Sequence, residues 1–527
     1  MSILENVFPA DANRSTRKKL FLPAAVAAAF RLAAPIMTCL LFLSAASHYL
    51  AAADQTANVK VDWTKVERVS NTTPTLQVVV NPPLRRGSSI HDRVFQSLRD
   101  LKADYVRFVP WFPYPRLGVA ELEPPTAKQT FWDFSLIDPL VADFLDATSG
   151  HTVVLNFSTI PQWMFKTEKP VRYPTDANEV TWNYEQGTEL RDPSLKEISD
   201  YYVRLLSWYT RGGFTDELGQ RHEWGHHYKI DYWEVLNEPE YEHAITPQTY
   251  TRIYDAVVAG LRQIDPKMKF VGMSLATPSK SPEFFEYFLD PKNHQPAIPL
   301  DAISYHFYAV PTADQSPEIH PFTFFEQADH FLDTVRYVET IRRRLSPKTI
   351  TMLNEVGTIR AEDIGQSDSS RPLPRSYWNL SGAVYAYLYA QLARMGIEVV
   401  GESQLVGYPT QFPSVSMLDW DTGQPNARYW VLKLLRDSFG PGDQLVVTKI
   451  DVPYVFAQGF VTSAGRKKIL LVNKRDRAFQ LSLPGTTHAR LQIIDQSPSP
   501  GSLAVHDLDT DRMLLPGLAV AVVTLED

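Results

Sequence analysis

The sequence predicts a (β/α)8 (TIM) barrel followed by an antiparallel β-sandwich, and three observations carry that expectation. Eight short apolar runs recur between residues 76 and 403. Segments with a helical hydrophobic period separate them. After Ser438 the texture changes to short strands broken by Gly, Pro and Asp. Runs buried on both faces and alternating with helices make a parallel sheet. Eight such units in succession close that sheet into a barrel, which a doubly wound open sheet would not require.

In chain order the strands are LQVVVN from Leu76, DYVRFV from Asp104, TVVLNF from Thr152 and IDYWEVLN from Ile230, then KFVGMS from Lys269, DAISYHFY from Asp301, TITMLNE from Thr349 and IEVVGES from Ile397. The intervening helices read DRVFQSLRDLK, SLIDPLVADFLDAT, EISDYYVRLLSWYT, PQTYTRIYDAVVAGLRQI, EFFEYFL, FFEQADHFLDTVRYVETIRRRL and SGAVYAYLYAQLARM, with ARYWVLKLLRDS after the last strand. LVVTKI, YVFAQGFVT, KKILLVNK, AFQLSLP, ARLQIID and GLAVAVVTL form the sandwich. Its first strands are expected to pair with NVKVDWTKV, which precedes the barrel. The expected units are a segment at 54–74 belonging to the sandwich, the barrel at 75–437 and the sandwich at 438–527.

The N-terminus is of another kind. Arg14, Arg17, Lys18 and Lys19 precede a stretch from Leu20 to Ala53 whose only full charge is Arg31. LAAPIMTCLLFLSAAS reads as a signal h-region, and an Ala-x-Ala site ends at Ala53. Residues 1–53 are therefore expected to be a cleaved export signal that leaves the protein secreted or periplasmic. The alternative is an uncleaved membrane anchor with the barrel outside. Cys39, the only cysteine, lies in this stretch, so the rest of the chain has no disulfide, thiol nucleophile or cysteine metal site. A net charge of −8, from 60 acids against 52 bases, argues against nucleic acid. The 39 prolines and 11 tryptophans suit a loop-rich protein with aromatic surfaces, which fit sugar rings.

The chemistry is expected where the strands end, because barrel active sites are built from that rim. In DYWEVLNEPEYEH, Asp231 to His243, the fourth strand finishes on Asn237 and Glu238 and Pro239 stops it. The seventh finishes on Glu355, just before Gly357. Each glutamate alone could be a surface acid; at the tips of opposed barrel strands the two face one pocket. Such a pair suits glycoside hydrolysis, in which one acid protonates the leaving oxygen and the other attacks carbon or activates water.

Strand four ending Asn-Glu-Pro and strand seven ending in Glu resemble the signature of the clan A glycosidases. Within that clan the chain looks like glycoside hydrolase family 39, the family of β-xylosidases and α-L-iduronidases. FWDFSLIDPLVADF, STIPQWMF, YWEVLNEP, ISYHFY and LLVNKRDRAFQLSLPG carry the resemblance. It implies that Glu238 is the general acid/base and Glu355 the nucleophile of a retaining reaction. It implies Asn237 on the sugar 2-hydroxyl, Arg107 beneath the nucleophile, and Tyr308 or His306 bonded to it. Trp111 and Trp163 are candidates for sugar stacking, the substrate is a carbohydrate, and no cofactor or metal is required. The chain departs from the family in strand two, where Phe108 to Trp111 follow Arg107 without the usual His, and at Leu236, where Trp is usual. It departs again after strand eight, where Glu402, Gln404 and Tyr408 stand. The reaction type is thus better supported than the sugar.

Two rival readings have their own residues. RHEWGHH formally matches the His-Glu-x-x-His zinc motif through His222, Glu223 and His226, but its glycines oppose the helix that motif needs. A degenerate barrel that binds carbohydrate without cleaving it fits the altered sugar-gripping residues, and retention of both glutamates speaks against it. Esterase and nucleotide chemistry lack a motif.

Overall fold

The computed structural model describes residues 56–167, 173–182, 187–364, 373–497 and 503–526. The expected export segment at 1–53 lies outside them, and among the described residues no helix is long and apolar enough to cross a membrane.

Eight strands form a closed barrel: β1 (Thr73–Val79), β2 (Val106–Val109), β3 (Val153–Leu155), β4 (Tyr232–Glu234), β5 (Lys269–Leu275), β6 (Ala302–Ala309), β7 (Ile350–Thr358) and β8 (Val399–Glu402). Neighbours pair in parallel, and β8 closes on β1 with Val399 opposite Thr73. Thr73 and Pro74 thus belong to the barrel rather than to the segment before it. One helix of the outer ring follows each strand: His91–Leu101, Asp138–Ala147, Lys196–Arg211, Pro247–Ile264, Pro282–Phe288, His320–Leu345, Arg375–Met395 and Ala427–Ser438.

The helix Pro247–Ile264 shows why. Thr246 caps it by accepting the Thr249 N–H, and Pro247 begins its first turn. Tyr250, Ile253, Tyr254, Val257, Val258 and Leu261 form one apolar stripe, all buried, each worth about 1.5–3 kcal/mol of burial. The Tyr250 hydroxyl bonds the Val235 carbonyl at 3.0 Å and takes the Met273 N–H at 2.5 Å, so the helix clamps the ends of β4 and β5.

Strand periodicity divides the barrel interior into layers. Val154, Tyr232, Val271, Ala302, Met352 and Val399 make an apolar floor. Two residues further along four of these strands the same inward face turns polar, with Asn156, Glu234, Ser304 and Asn354.

Two strand ends differ from expectation. β4 stops at Glu234, because Leu236 and Glu238 adopt left-handed backbone at φ 64° and 42° and leave the ladder. Glu238 therefore stands on an irregular segment before the short helix Pro239–Glu242, a conformation that costs about 1–3 kcal/mol per residue. β7 does not end at Glu355 but runs on to Thr358, with a register shift against β6 between Met352 and Glu355. Such a bulge re-aims a side chain, and here it turns Glu355 into the barrel.

The second unit is one curled nine-stranded sheet. Its N-terminal strand, Ala57–Val69, pairs antiparallel with Gln444–Ile450. Ile469, Leu471, Ala521 and Val523 point into the sheet's own core, while Leu470, Val472, Val520 and Val522 join the barrel-side core. Two strands, Ala504–Asp507 and Arg512–Leu515, add to the six expected.

Candidate active site

At the base of the site Glu234 is fully buried, and four side chains bond it. Its Oε1 accepts from Ser304 Oγ at 2.5 Å and Asn354 Nδ2 at 2.6 Å; its Oε2 accepts from Asn156 Nδ2 and Arg107 Nε, each at 2.5 Å. Sequence reading missed this residue. The signal was a charged side chain inside a strand buried on both faces, which demands partners.

Arg107, from β2, spends all five N–H donors here. Besides Glu234 it bonds Gln77 Oε1 at 2.6 Å, Glu355 Oε1 at 2.5 Å, Asn237 Oδ1 at 2.6 Å and Ser274 Oγ at 3.0 Å. The other oxygen of Glu355 lies 2.7 Å from the Tyr308 hydroxyl, which is 2.6 Å from Ser403 Oγ. Gln77 Nε2 in turn donates to Ser403 Oγ at 2.6 Å. Burial pushes the Glu355 carboxyl up, but the charges of His306 and Arg107 and the Tyr308 bond bring it below the usual range. Glu355 is thus kept ionised.

Glu238 faces it. His306 stands between them, its Nδ1 2.7 Å from Glu238 Oε1 and 3.4 Å from Glu355 Oε2. One ligand atom from each of the three lies within 4.8 Å of the others. They do not suit a resident cation, because Glu355 Oε1 already accepts an Arg107 N–H, His306 Nδ1 is committed to Glu238, and an added ion would stand beside the guanidinium.

Asn237 is fixed from both ends. Its Oδ1 takes the Arg107 bond and its Nδ2 donates to Glu242 Oε1 at 2.9 Å, leaving one N–H for a ligand. Glu242 also accepts the Trp111 Nε1–H at 2.7 Å, and its Oε2 is buried without a partner. Burial, then the charge of Glu238, raise its carboxyl well above the ordinary range. Trp111 packs near-parallel to Phe412 at 6.2 Å and edge-on to Trp182 at 5.4 Å, rings carried by loops on the strand-end rim.

Of the residues singled out from sequence, Glu238, Glu355, Asn237, Arg107, His306, Tyr308 and Trp111 meet in one hydrogen-bonded network. Trp163 makes none of these bonds: its Nε1 donates to the Glu121 carbonyl and Arg191 lies over its ring at 4.5 Å. Glu402 does not face the network's centre but bonds Arg428 Nε at 2.9 Å. Residues the sequence did not reveal are Glu234, Glu242, Ser274, Ser403 and Gln77. The zinc-like run forms no helix. His222 lies on a strand, Arg221–Glu223, paired with Gly213–Thr215, and His226 stacks on Tyr228 at 5.5 Å.

Glu240 adds a titrating group. Its Oε1 accepts the Thr277 N–H at 2.9 Å and its Oε2 is buried without a partner. Burial, then the charge of Glu238, push its carboxyl up to about 7. Between the ordinary 4.5 and about 7 the folded protein keeps a proton that the unfolded chain has released, so this group lowers stability as pH rises across that window. Glu240→Gln should therefore match the wild-type melting temperature in acid and exceed it by about 1–3 °C at neutral pH. An equal difference at every pH would contradict the assignment.

No family model and no curated protein sequence matches the chain. Solved structures do. The GH51 arabinofuranosidase from Xanthomonas axonopodis pv. citri superposes with a TM-score of 0.60 at 12% identity, over 89% of this chain and all (100%) of that one. The α-L-arabinofuranosidase from Thermotoga maritima, in its arabinose complex, gives 0.58 at 14% identity, over 90% and 100%. A GH30 endoxylanase from Clostridium papyrosolvens C71 gives 0.54 at 13% identity, also over 90% and 100%. At such identities the likeness is one of fold: the barrel and its attached β-domain.

Proposed function

We propose that this protein is a retaining glycoside hydrolase that cleaves O-glycosidic bonds of a neutral-sugar oligo- or polysaccharide by double displacement. The observation that carries the reading is Glu238 and Glu355 facing each other with carboxylate oxygens within 4.8 Å, Glu355 held ionised. Retaining enzymes place their carboxyl groups about 5–5.5 Å apart, whereas inverting ones leave about 6.5–9.5 Å for a water. Glu355 is then the nucleophile and Glu238 the acid/base. Asn237, with one free N–H held in place by Arg107 and Glu242, is the contact to the glycone. The neighbours' names, arabinofuranosidase and endoxylanase, denote the same class of activity and support it. Family 39 and a β-xylosidase-like specificity belong to this proposal, on the strength of the motifs.

The neutral glycone follows from charge. Arg107 has no donor left for a substrate carboxylate, and Glu355 holds a negative charge in the site. A uronate would be repelled, so among the sugars of the resembling family the xylose type fits and the iduronate type does not. The test is a panel of aryl xylosides, arabinosides, glucosides, galactosides and glucuronides, with product configuration read by NMR. Cleavage of a neutral glycoside with retention, and none of the glucuronide, is expected. Inversion, or no cleavage of any member, would overturn the reading.

A further inference from the structure

The contact between His306 Nδ1 and Glu238 Oε1, at 2.7 Å, requires a proton between two atoms that are each acceptors when bare. The far side of the ring is also committed. Nε2 lies 3.0 Å from Ser274 Oγ, which takes an N–H from Arg107 at 3.0 Å and has Asn237 Oδ1 at 3.3 Å to receive its own proton. The serine proton can turn to Nε2 or to Asn237, and in the second arrangement Nε2 donates. A ring that donates from both nitrogens is an imidazolium.

The surroundings favour that form. His306 is 1% exposed, and the charged or titratable groups facing it are Glu238 and Glu240 from the segment after β4, Glu355 from β7 and Arg107 from β2. Burial disfavours its charge and Arg107 opposes it, but the two carboxylates Glu355 and Glu238 outweigh both and raise its affinity for the proton above that of an ordinary histidine.

We infer that His306 stores the catalytic proton, which it passes through Glu238 to the departing aglycone. The chemical step rests on the glycosidase reading; the location of the proton does not. As a Glu355 oxygen forms its bond to the anomeric carbon, the glycosidic C–O bond breaks and its electron pair goes to the aglycone oxygen. That oxygen takes a proton from Glu238, and Glu238 takes one from Nδ1. The ester at Glu355 carries no charge, so the anion that held the imidazolium vanishes at the moment the proton is needed. The ring is left with a bare Nδ1 beside the Glu238 carboxylate, an arrangement that draws a proton from the water attacking in the second step. When Glu355 leaves as an anion, the imidazolium is restored and charges balance. His306 touches no substrate atom in this scheme; it acts through Glu238.

The test is a titration of the whole protein without substrate, labelled at histidine Cε1 with carbon-13, the His306 signal assigned by its loss in His306→Gln. A midpoint above the ordinary histidine range of about 6.5 is expected, falling by about one unit or more in Glu355→Gln and again in Glu238→Gln. A wild-type midpoint at or below that range, or one unmoved in whichever of the two variants folds, overturns the inference. A histidine paired with neither carboxylate would titrate normally. Because no glycoside is present, failure here leaves the proposed function standing, and failure of the glycoside panel leaves the proton assignment standing.

Discussion

Glu355→Gly should lose activity on every glycoside the wild type cleaves, by about 10⁴-fold or more, the scale seen when a nucleophile is removed from an assembled site. The loss should not depend on the aglycone, because bond formation to carbon fails whatever leaves. The network around the vacated space is independent of the missing carboxylate. Arg107 keeps its bonds to Glu234, Gln77, Asn237 and Ser274, and Tyr308 stays beside Ser403. The cavity then offers a guanidinium N–H and a phenol to a small anion. Azide should enter it, attack the face Glu355 would have attacked and yield the glycosyl azide of inverted configuration, with Glu238 still protonating the aglycone. Turnover measured with and without azide, with the product analysed by NMR, decides the point. Full activity in Glu355→Gly, or a retained azide product, would remove Glu355 from the nucleophile's role.

What the sequence shows of this site is what local chemistry punctuates. Glu238 and Glu355 are legible because Pro239 and Gly357 mark where the chain turns, and because eight apolar runs order the strands around a ring. The geometry that aims them is not legible. The left-handed backbone at Leu236 and Glu238 and the register shift before Glu355 appear only once neighbouring strands are in place. Glu234 could have been found from its position, since a charged residue two places beyond an inward Tyr232 must meet partners inside the barrel. Its four partners come from β2, β3, β6 and β7 or the segment just after them, and no local pattern joins those. Glu242 was hidden differently: as one acid of several after Asn-Glu-Pro it looks like a helix N-terminus, and only the fold brings Trp111 and Asn237 to it. In the second unit, the strand Ala504–Asp507 is exposed along its whole length, so no alternation marks it.

Glu238→Gln should fail in a way that depends on the leaving group. With a poor leaving group such as an alkyl aglycone, the proton Glu238 delivers is needed in the transition state, and its loss should cost about 10²–10⁴-fold. A dinitrophenolate leaves without that proton, so the first step on such a substrate should be slowed far less. The second step still lacks its general base, so the glycosyl-enzyme at Glu355 should accumulate and give a burst of dinitrophenol followed by slow turnover. The His306 bond does not rescue the variant. A glutamine oxygen can accept the Nδ1–H at the same place, but it cannot pass the proton on. Azide, needing no base, should attack the waiting glycosyl-enzyme and give the retained glycosyl azide, the opposite configuration to that from Glu355→Gly. The two configurations together separate the roles: one glutamate's absence is replaced at carbon, the other's at oxygen. If alkyl and dinitrophenyl glycosides lose the same factor in Glu238→Gln, or if its azide product is inverted, Glu238 is not the acid/base and the proton route through His306 ends elsewhere.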